Sequence, residues 1–198
     1  VWISSQISST LRSRQMRSTE IDPFEQRYGH KPTEIRTSFD ALAVYVHKDN
    51  PIKELSLAQV EAIFGKSRKR GFKQNVTTWG QLGLTGEWAS RPIGLYGRNS
   101  ASGTYGFFKE IVLKNGDYKD TVKEQPGSAS VVQGVTEDRY AIGYSGAGYR
   151  TSGVRAVPLA EQPAGPFFSG TYEEVVAGKY PLSRFLYVYV NRAPGKPL

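Results

Sequence analysis

The chain has 198 residues, enough for one sizeable domain or two small ones with a real core. Hydrophobic residues make up 38% and charged residues 22%, which excludes a disordered chain, and the absence of cysteine excludes a disulfide framework and a zinc–thiolate site without fixing the compartment. No apolar run is long enough to span a bilayer. Lys and Arg number 26 against 18 Asp and Glu, and the net +8 points to an anionic partner without choosing among nucleic acid, a membrane surface and a small anion.

In chain order, "STEIDPFEQRYG" sets Ile21, Phe24 and Tyr28 on one helical face and ends at Gly29. "DALAVYVHKDNP" is a continuous apolar run closed by Asp49-Asn50-Pro51, the pattern of a buried strand. "LSLAQVEAIFG" opens with Ser56 and Gln59 at capping-box spacing, carries Val60, Ile63 and Phe64 on one face and stops at Gly65, which predicts a helix. "SRKRGFKQN" follows as a basic loop, and "RPIGLYG" as a short strand. "TYGFFKEIVLKNG" predicts a helix through Tyr105, Phe108 and Val112 that ends near Asn115-Gly116. "SASVVQGV" is a short helix after Pro126-Gly127, "YAIGYSGAGY" a strand entering a glycine-rich turn, and "VRAVPL" another strand. "TYEEVVAGKYP" holds a second capping box, Thr171 with Glu174, and "SRFLYVYVN" is a strand apolar on both faces. Such alternation predicts an α/β fold with a mixed or mostly parallel sheet.

The stretch "GRNSASGTYGFFKE" is chemically the most informative. Ser102, Gly103 and Thr104 precede a helix, whose N-terminal N–H groups and dipole favour an anion. Gly103 permits close backbone approach, the hydroxyls add donors, and Arg98 brings a planar fork suited to a tetrahedral oxyanion. Ser100 or Ser102 also fits a plain N-cap and Arg98 a surface charge, so the residues alone leave an anion cradle and a simple cap both open. Gly127, Ser128 and Ser130 open another helix, where a ligand contact and an ordinary turn are equally compatible. Ser13, between Arg12 and Arg14, reads by itself as part of a solvated basic loop.

Enzyme signatures are missing. The two histidines, His30 and His47, have no triad spacing. "GYSGAG" misses a nucleophile elbow because Ala147 stands where the second glycine belongs. No metal-ligand spacing and no phosphate-cradling Gly-Lys-Ser/Thr loop occurs, so no metal, cofactor or catalytic residue is expected. Lys66, Arg68, Lys69, Arg70 and Lys73 surround Phe72, but without an accompanying nucleic-acid motif a solvated loop is the preferred reading.

Five segments, Asp40–Phe64, Thr77–Glu110, Glu124–Gln133, Ala141–Ala160 and Tyr180–Leu198, together resemble the periplasmic phosphate-binding proteins that serve phosphate ABC transporters, within the type II substrate-binding superfamily. The resemblance covers nearly the whole chain. It implies a type II periplasmic-binding-protein fold, a mixed sheet with flanking helices, in which residues 1–40 are a partial lobe one, 41–184 a nearly complete lobe two and 185–198 a return hinge strand and the start of lobe one. It implies a phosphate clamp of Arg98, Ser102, Gly103 and Thr104, with Ser100 and Ser128 nearby, and places Ser13 and Arg14 of "RSRQM" at the contact loop of the opposite lobe. Many relatives carry a carboxylate where this chain has Ser13. The family's further N-terminal and C-terminal segments are expected to be missing, and both ends, "VWISSQISS" and "NRAPGKPL", read as cuts through a larger design.

The implied function is binding of inorganic phosphate in an interlobe cleft for delivery to an ABC transporter permease. The protein is then a periplasmic or extracellular monomer with no cofactor, no catalysis and no nucleic-acid partner. The alternatives on the same fold are another oxyanion, a surface or adhesive role and, ranked last, nucleic-acid binding through residues 66–73.

Overall fold

The computed structural model describes residues 9–196; the opening stretch "VWISSQIS" and the final two residues lie outside the described residues. The chain divides into two compact units, one formed by Val1–Asp40 with Arg184–Leu198, the other by Ala41–Ser183.

In the first unit, strand β1 (Ser9–Arg12) pairs antiparallel with strand β9 (Ser183–Val190), with Ser9 opposite Val190 and Arg12 opposite Tyr187. The neighbour of β9 on its other side is β2 (Thr33–His47). Helix α1 (Ser18–Tyr28) ends where expected, at Gly29, whose φ of 73° is the left-handed value that glycine adopts without penalty. A small core joins Met16, Tyr187 and Tyr189, with Ile21 and Phe185 packed against it. Its polar edge is satisfied: the Tyr189 hydroxyl accepts the Met16 N–H at 3.0 Å and donates to Glu34 Oε2. Burial, with the Glu34 contact adding to it, pushes the Tyr189 phenol up to about 12. Arg184 bonds Asp40 through Nε at 2.9 Å and through Nη2 at 2.7 Å.

In the second unit, the Ala41–His47 half of β2 pairs antiparallel with β6 (Ala141–Gly146) and β7 (Val154–Ala156). Strand β6 lies parallel to β4 (Gly94–Arg98), and β4 parallel to β5 (Val122–Gln125), giving the order β2-β6-β4-β5. Both faces of this sheet are covered, which is why the β2 segment reads as an uninterrupted apolar run rather than an alternating one. Leu42, Val44 and Val46 enter the larger core together with α2 (Leu57–Phe64), α3 (Gly103–Ile111) and Trp79; Ala43 and Tyr45 face α4 (Ser128–Glu137). Both capping boxes form: Gln59 N–H donates to Ser56 Oγ and Ser56 N–H to Gln59 Oε1, and Thr171 and Glu174 do the same at the start of α5 (Tyr172–Val176).

Several boundaries differ from the sequence reading. Strand β2 begins seven residues earlier than Asp40, and β1 and β5 form where no strand was expected; all three segments are short of buried apolar residues and are held by ladder pairing. Helix α3 ends at Ile111 because Lys114 and Asn115 turn through positive φ, at 46° and 58°, although Val112 and Leu113 stay fully buried. Helix α4 runs two residues past Val135. The "VRAVPL" strand is split into β7 and a two-residue strand β8 (Leu159–Ala160) that pairs with β3 (Leu55–Ser56).

Candidate anion-binding site

The parallel trio β5-β4-β6 dictates where a site can form. Each parallel strand delivers the chain at its carboxyl end, so α3 and α4 both start at that edge. The two helices lie on opposite faces of β4: Phe107 and Phe108 of α3 belong to the larger core, whereas Val132 and Val135 of α4 belong to the smaller one.

Arg98 is the last residue of β4. The residue before it has to be glycine, because a Cβ on Gly97 would come within 2.6 Å of the Tyr144 ring. That ring stacks on Phe108 at 3.8 Å and 11°, and its hydroxyl donates to Tyr118 at 2.9 Å; Tyr118 in turn donates to the Tyr105 carbonyl at 3.0 Å. This aromatic stack ties β6, α3 and the strand end carrying Arg98 into one rigid piece. Burial raises the pKa of both Tyr118 and Tyr144, so both phenols remain protonated and able to donate.

The Arg98 fork faces α4. Its Nη1 donates to Ser128 Oγ at 3.0 Å and its Nη2 to the Pro126 carbonyl at 3.1 Å. On the other side, Ser102 is the N-cap of α3: its hydroxyl accepts the Thr104 N–H at 3.1 Å, which leaves Gly103 and Thr104 as the first helical residues. Thr104 and Ser128 are each 7% exposed, while Ser100 is exposed in the turn leading to α3. Neither α3 nor α4 has an acidic residue in its first turn, in contrast to α1 with Glu20 and α5 with Glu173 and Glu174. Two positive helix ends thus have no carboxylate in their own first turns, which favours an anion there; the nearest acidic residue along the sheet is Glu124 of β5, level with Gly97. The structure gathers Arg98, Ser102, Gly103, Thr104 and Ser128 at this one edge, and Ser102 takes the cap role that the sequence left open beside the anion reading.

Ser13 and Arg14 belong to the first unit. Ser13 is half-buried just after β1. Arg14 is no free loop cation: with Arg12 it holds Glu20, through Nη1 contacts of 2.7 Å each. The hydrogen bond from Arg14, aided by the Arg17 backbone N–H and the Arg12 charge against the opposing effect of burial, brings the Glu20 carboxyl down to about 2. A folded pKa below the unfolded value, roughly 4.3, stabilises the fold above that value, and the contribution drains away as pH falls towards 2. Glu20→Gln is therefore expected to lower Tm at neutral pH. In circular-dichroism melts from pH 6 to 2, the unsubstituted chain should lose Tm faster than the variant until the two curves meet. Parallel curves would show that the pairing contributes nothing.

One residue at this edge was not singled out as a binding residue from the sequence. Ser145, part of the near-elbow "GYSGAG", is fully buried in β6 rather than presented on a turn. Among the described residues, no group of three His, Cys, Asp or Glu side chains is placed to hold a metal ion.

A family model described as the PBP superfamily domain matches residues 6–197. The chain belongs to the PBP superfamily. Within it, the chain is 56% identical over 186 residues to the phosphate-binding protein PstS of Pseudomonas aeruginosa, covering 94% of this chain and 58% of that protein. It is 27% identical to the protein SphX of Synechococcus elongatus, over 93% of this chain and 53% of that protein. Thus the chain spans between half and two thirds of the length of these relatives. Among solved structures, it superposes with a TM-score of 0.71 on a Clostridium perfringens protein assigned as the substrate-binding protein of a phosphate ABC transporter and solved with bound phosphate; identity is 27%, over 91% of this chain and 65% of that one. An ABC-type phosphate transport receptor from Vibrio cholerae shares the fold, with a TM-score of 0.68 over 91% of this chain and 66% of that one at 22% identity. The α/β class, the mixed sheet and the superfamily expected from the sequence therefore hold.

Proposed function

We propose that this chain binds inorganic phosphate through the Arg98 cradle and belongs to the substrate-binding component of a phosphate ABC transporter, working outside the cytoplasm as a monomer. The observation that carries this reading is the Arg98 fork, anchored on Ser128 Oγ between two helix N-termini that have no acidic residue in their first turns. Its support from relatives is the 56% identity to a phosphate-binding protein and the likeness to a structure with phosphate bound. The task is capture and release, and no bond is made or broken. Ser13 and Arg14 enter this reading through the family resemblance alone. Among the described residues, no helix is long and apolar enough to cross a membrane.

The test is isothermal calorimetry with phosphate, arsenate and sulfate at neutral pH. Phosphate and arsenate, which match in shape and protonation, are expected to bind alike, and the sulfate arm reads whether the site distinguishes an oxyanion that carries no proton. Absence of a phosphate isotherm overturns the proposal. Binding to duplex DNA that falls steeply with salt would favour the alternative based on residues 66–73.

A further inference from the structure

Two buried side-chain atoms at the site edge have no hydrogen-bond partner: Arg98 Nε and Ser145 Oγ. Buried polar atoms without partners are uncommon, and each calls for a reason. The sheet register puts these two side by side. In the parallel β4–β6 pair, Tyr96 stands opposite Gly143, so Arg98 and Ser145, each two residues further on, are level on neighbouring strands. Both point to the α4 face. A Cβ on Gly143 would strike Val131 and Val135 of α4, a Cβ on Gly134 of α4 would strike the Tyr96 ring, and side chains two residues along a strand share its face. Ser128 is at the same edge, since Arg98 Nη1 reaches its Oγ. Ala43, Val132 and Ala141 are the aliphatic residues of this face, and the Tyr45 hydroxyl is already taken up by the Gly146 and Ala147 carbonyls, so an alanine at 145 would suit mere packing.

The chemistry of the pair is complementary. The Nε–H is only a donor, and a serine hydroxyl accepts readily. In this structure the terminal nitrogens of Arg98 are occupied by Ser128 and Pro126. Resting on the phosphate reading above, we infer that Ser145 is a positioning residue for Arg98: its hydroxyl accepts the Nε–H when the guanidinium turns its terminal nitrogens towards a bound oxyanion. Because the guanidinium is planar, fixing Nε sets the plane of the whole fork.

Ser145→Ala separates this role from a structural one. Without ligand, Tm should stay the same or rise, since the hydroxyl removed had no partner. The dissociation constant for inorganic phosphate should rise about tenfold. By NMR, the Arg98 Nε–H resonance, identified by its loss in Arg98→Lys, should shift on phosphate addition in the unsubstituted protein and stay put in Ser145→Ala. Equal phosphate affinity in the two proteins overturns the inference while leaving the phosphate reading intact. Weaker binding accompanied by a lowered ligand-free Tm, or an Nε–H resonance that responds identically in both, also overturns it. No phosphate binding by the unsubstituted protein overturns the phosphate reading and this inference with it.

Discussion

Replacing Arg98 by alanine is expected to weaken phosphate binding at least tenfold while leaving the protein folded. A charge-assisted, bidentate contact between guanidinium and oxyanion contributes roughly 1.5–3 kcal/mol, equivalent to about 10- to 150-fold in affinity. The fold depends on this side chain much less. Its two protein contacts go to Ser128 Oγ and the Pro126 carbonyl. One of them is solvent-exposed and the other only partly buried, so losing both costs about 1–3 kcal/mol, a fall of roughly 2–12 °C in Tm for a chain of this size. Arg98→Lys should fall between alanine and the native residue, because a single ammonium keeps the charge but cannot hold Ser128, Pro126 and a ligand oxygen together in one plane. Calorimetry is the measurement. An Arg98→Ala protein that binds phosphate as tightly as the unsubstituted one would remove the cradle from the functional account, whatever its relatives do.

The Arg98 and Ser102–Thr104 part of the candidate site was legible in the sequence because these residues are adjacent in the chain. Arg98 and the Ser102–Thr104 run lie within seven residues, and the change from strand to helix between them is marked by composition. The Ala41–Val46 strand was legible for another reason: burial on both faces demands an unbroken apolar run. Parts that depend on partners distant in sequence were not legible. Strand β5 carries Val122-Lys123-Glu124-Gln125, a polar stretch that becomes a strand only because β4 offers it a ladder. Ser145 drew notice in the sequence only within a near nucleophile elbow, and its place level with Arg98 follows from the register of β6 against β4. Arg12 and Arg14 looked like solvated charges because their carboxylate, Glu20, is on the following helix. Another residue of this kind, Arg70, lies in the basic loop, whose Lys66, Arg68, Lys69 and Lys73 are exposed as expected.

Lys66–Lys73 reads as a solvated run of charge, and on that reading a change in whatever it touches should move stability by no more than about 0.5 kcal/mol. The structure gives one member of the run, Arg70, a different part. Glu61, in the middle of α2 and fully buried, accepts the backbone N–H of Lys69 at 2.8 Å and of Arg70 at 2.6 Å. That anchor directs Arg70 to the far end of α3, where Nε donates to the Val112 carbonyl at 3.0 Å, Nη2 to the Ile111 carbonyl at 2.6 Å, and Nη1 pairs with Glu161 at 2.7 Å. A cation on the last carbonyls of a helix satisfies its orphan acceptors and complements its dipole. The helix in question is the one whose N-terminus carries Gly103 and Thr104. Glu61→Ala should therefore cost about 3 kcal/mol or more, because two backbone N–H groups lose a charged acceptor and a buried side-chain volume is emptied. At 2–4 °C per kcal/mol, Tm would fall by roughly 6–12 °C. Glu61→Gln retains one carbonyl oxygen as acceptor and fills the volume, so it should lose about half as much. Urea melts of the three proteins decide between the two accounts: a Glu61→Ala curve superimposable on the native one would return the loop to solvent, whereas a large loss with partial recovery in Glu61→Gln makes the charge run the C-terminal support of the site helix.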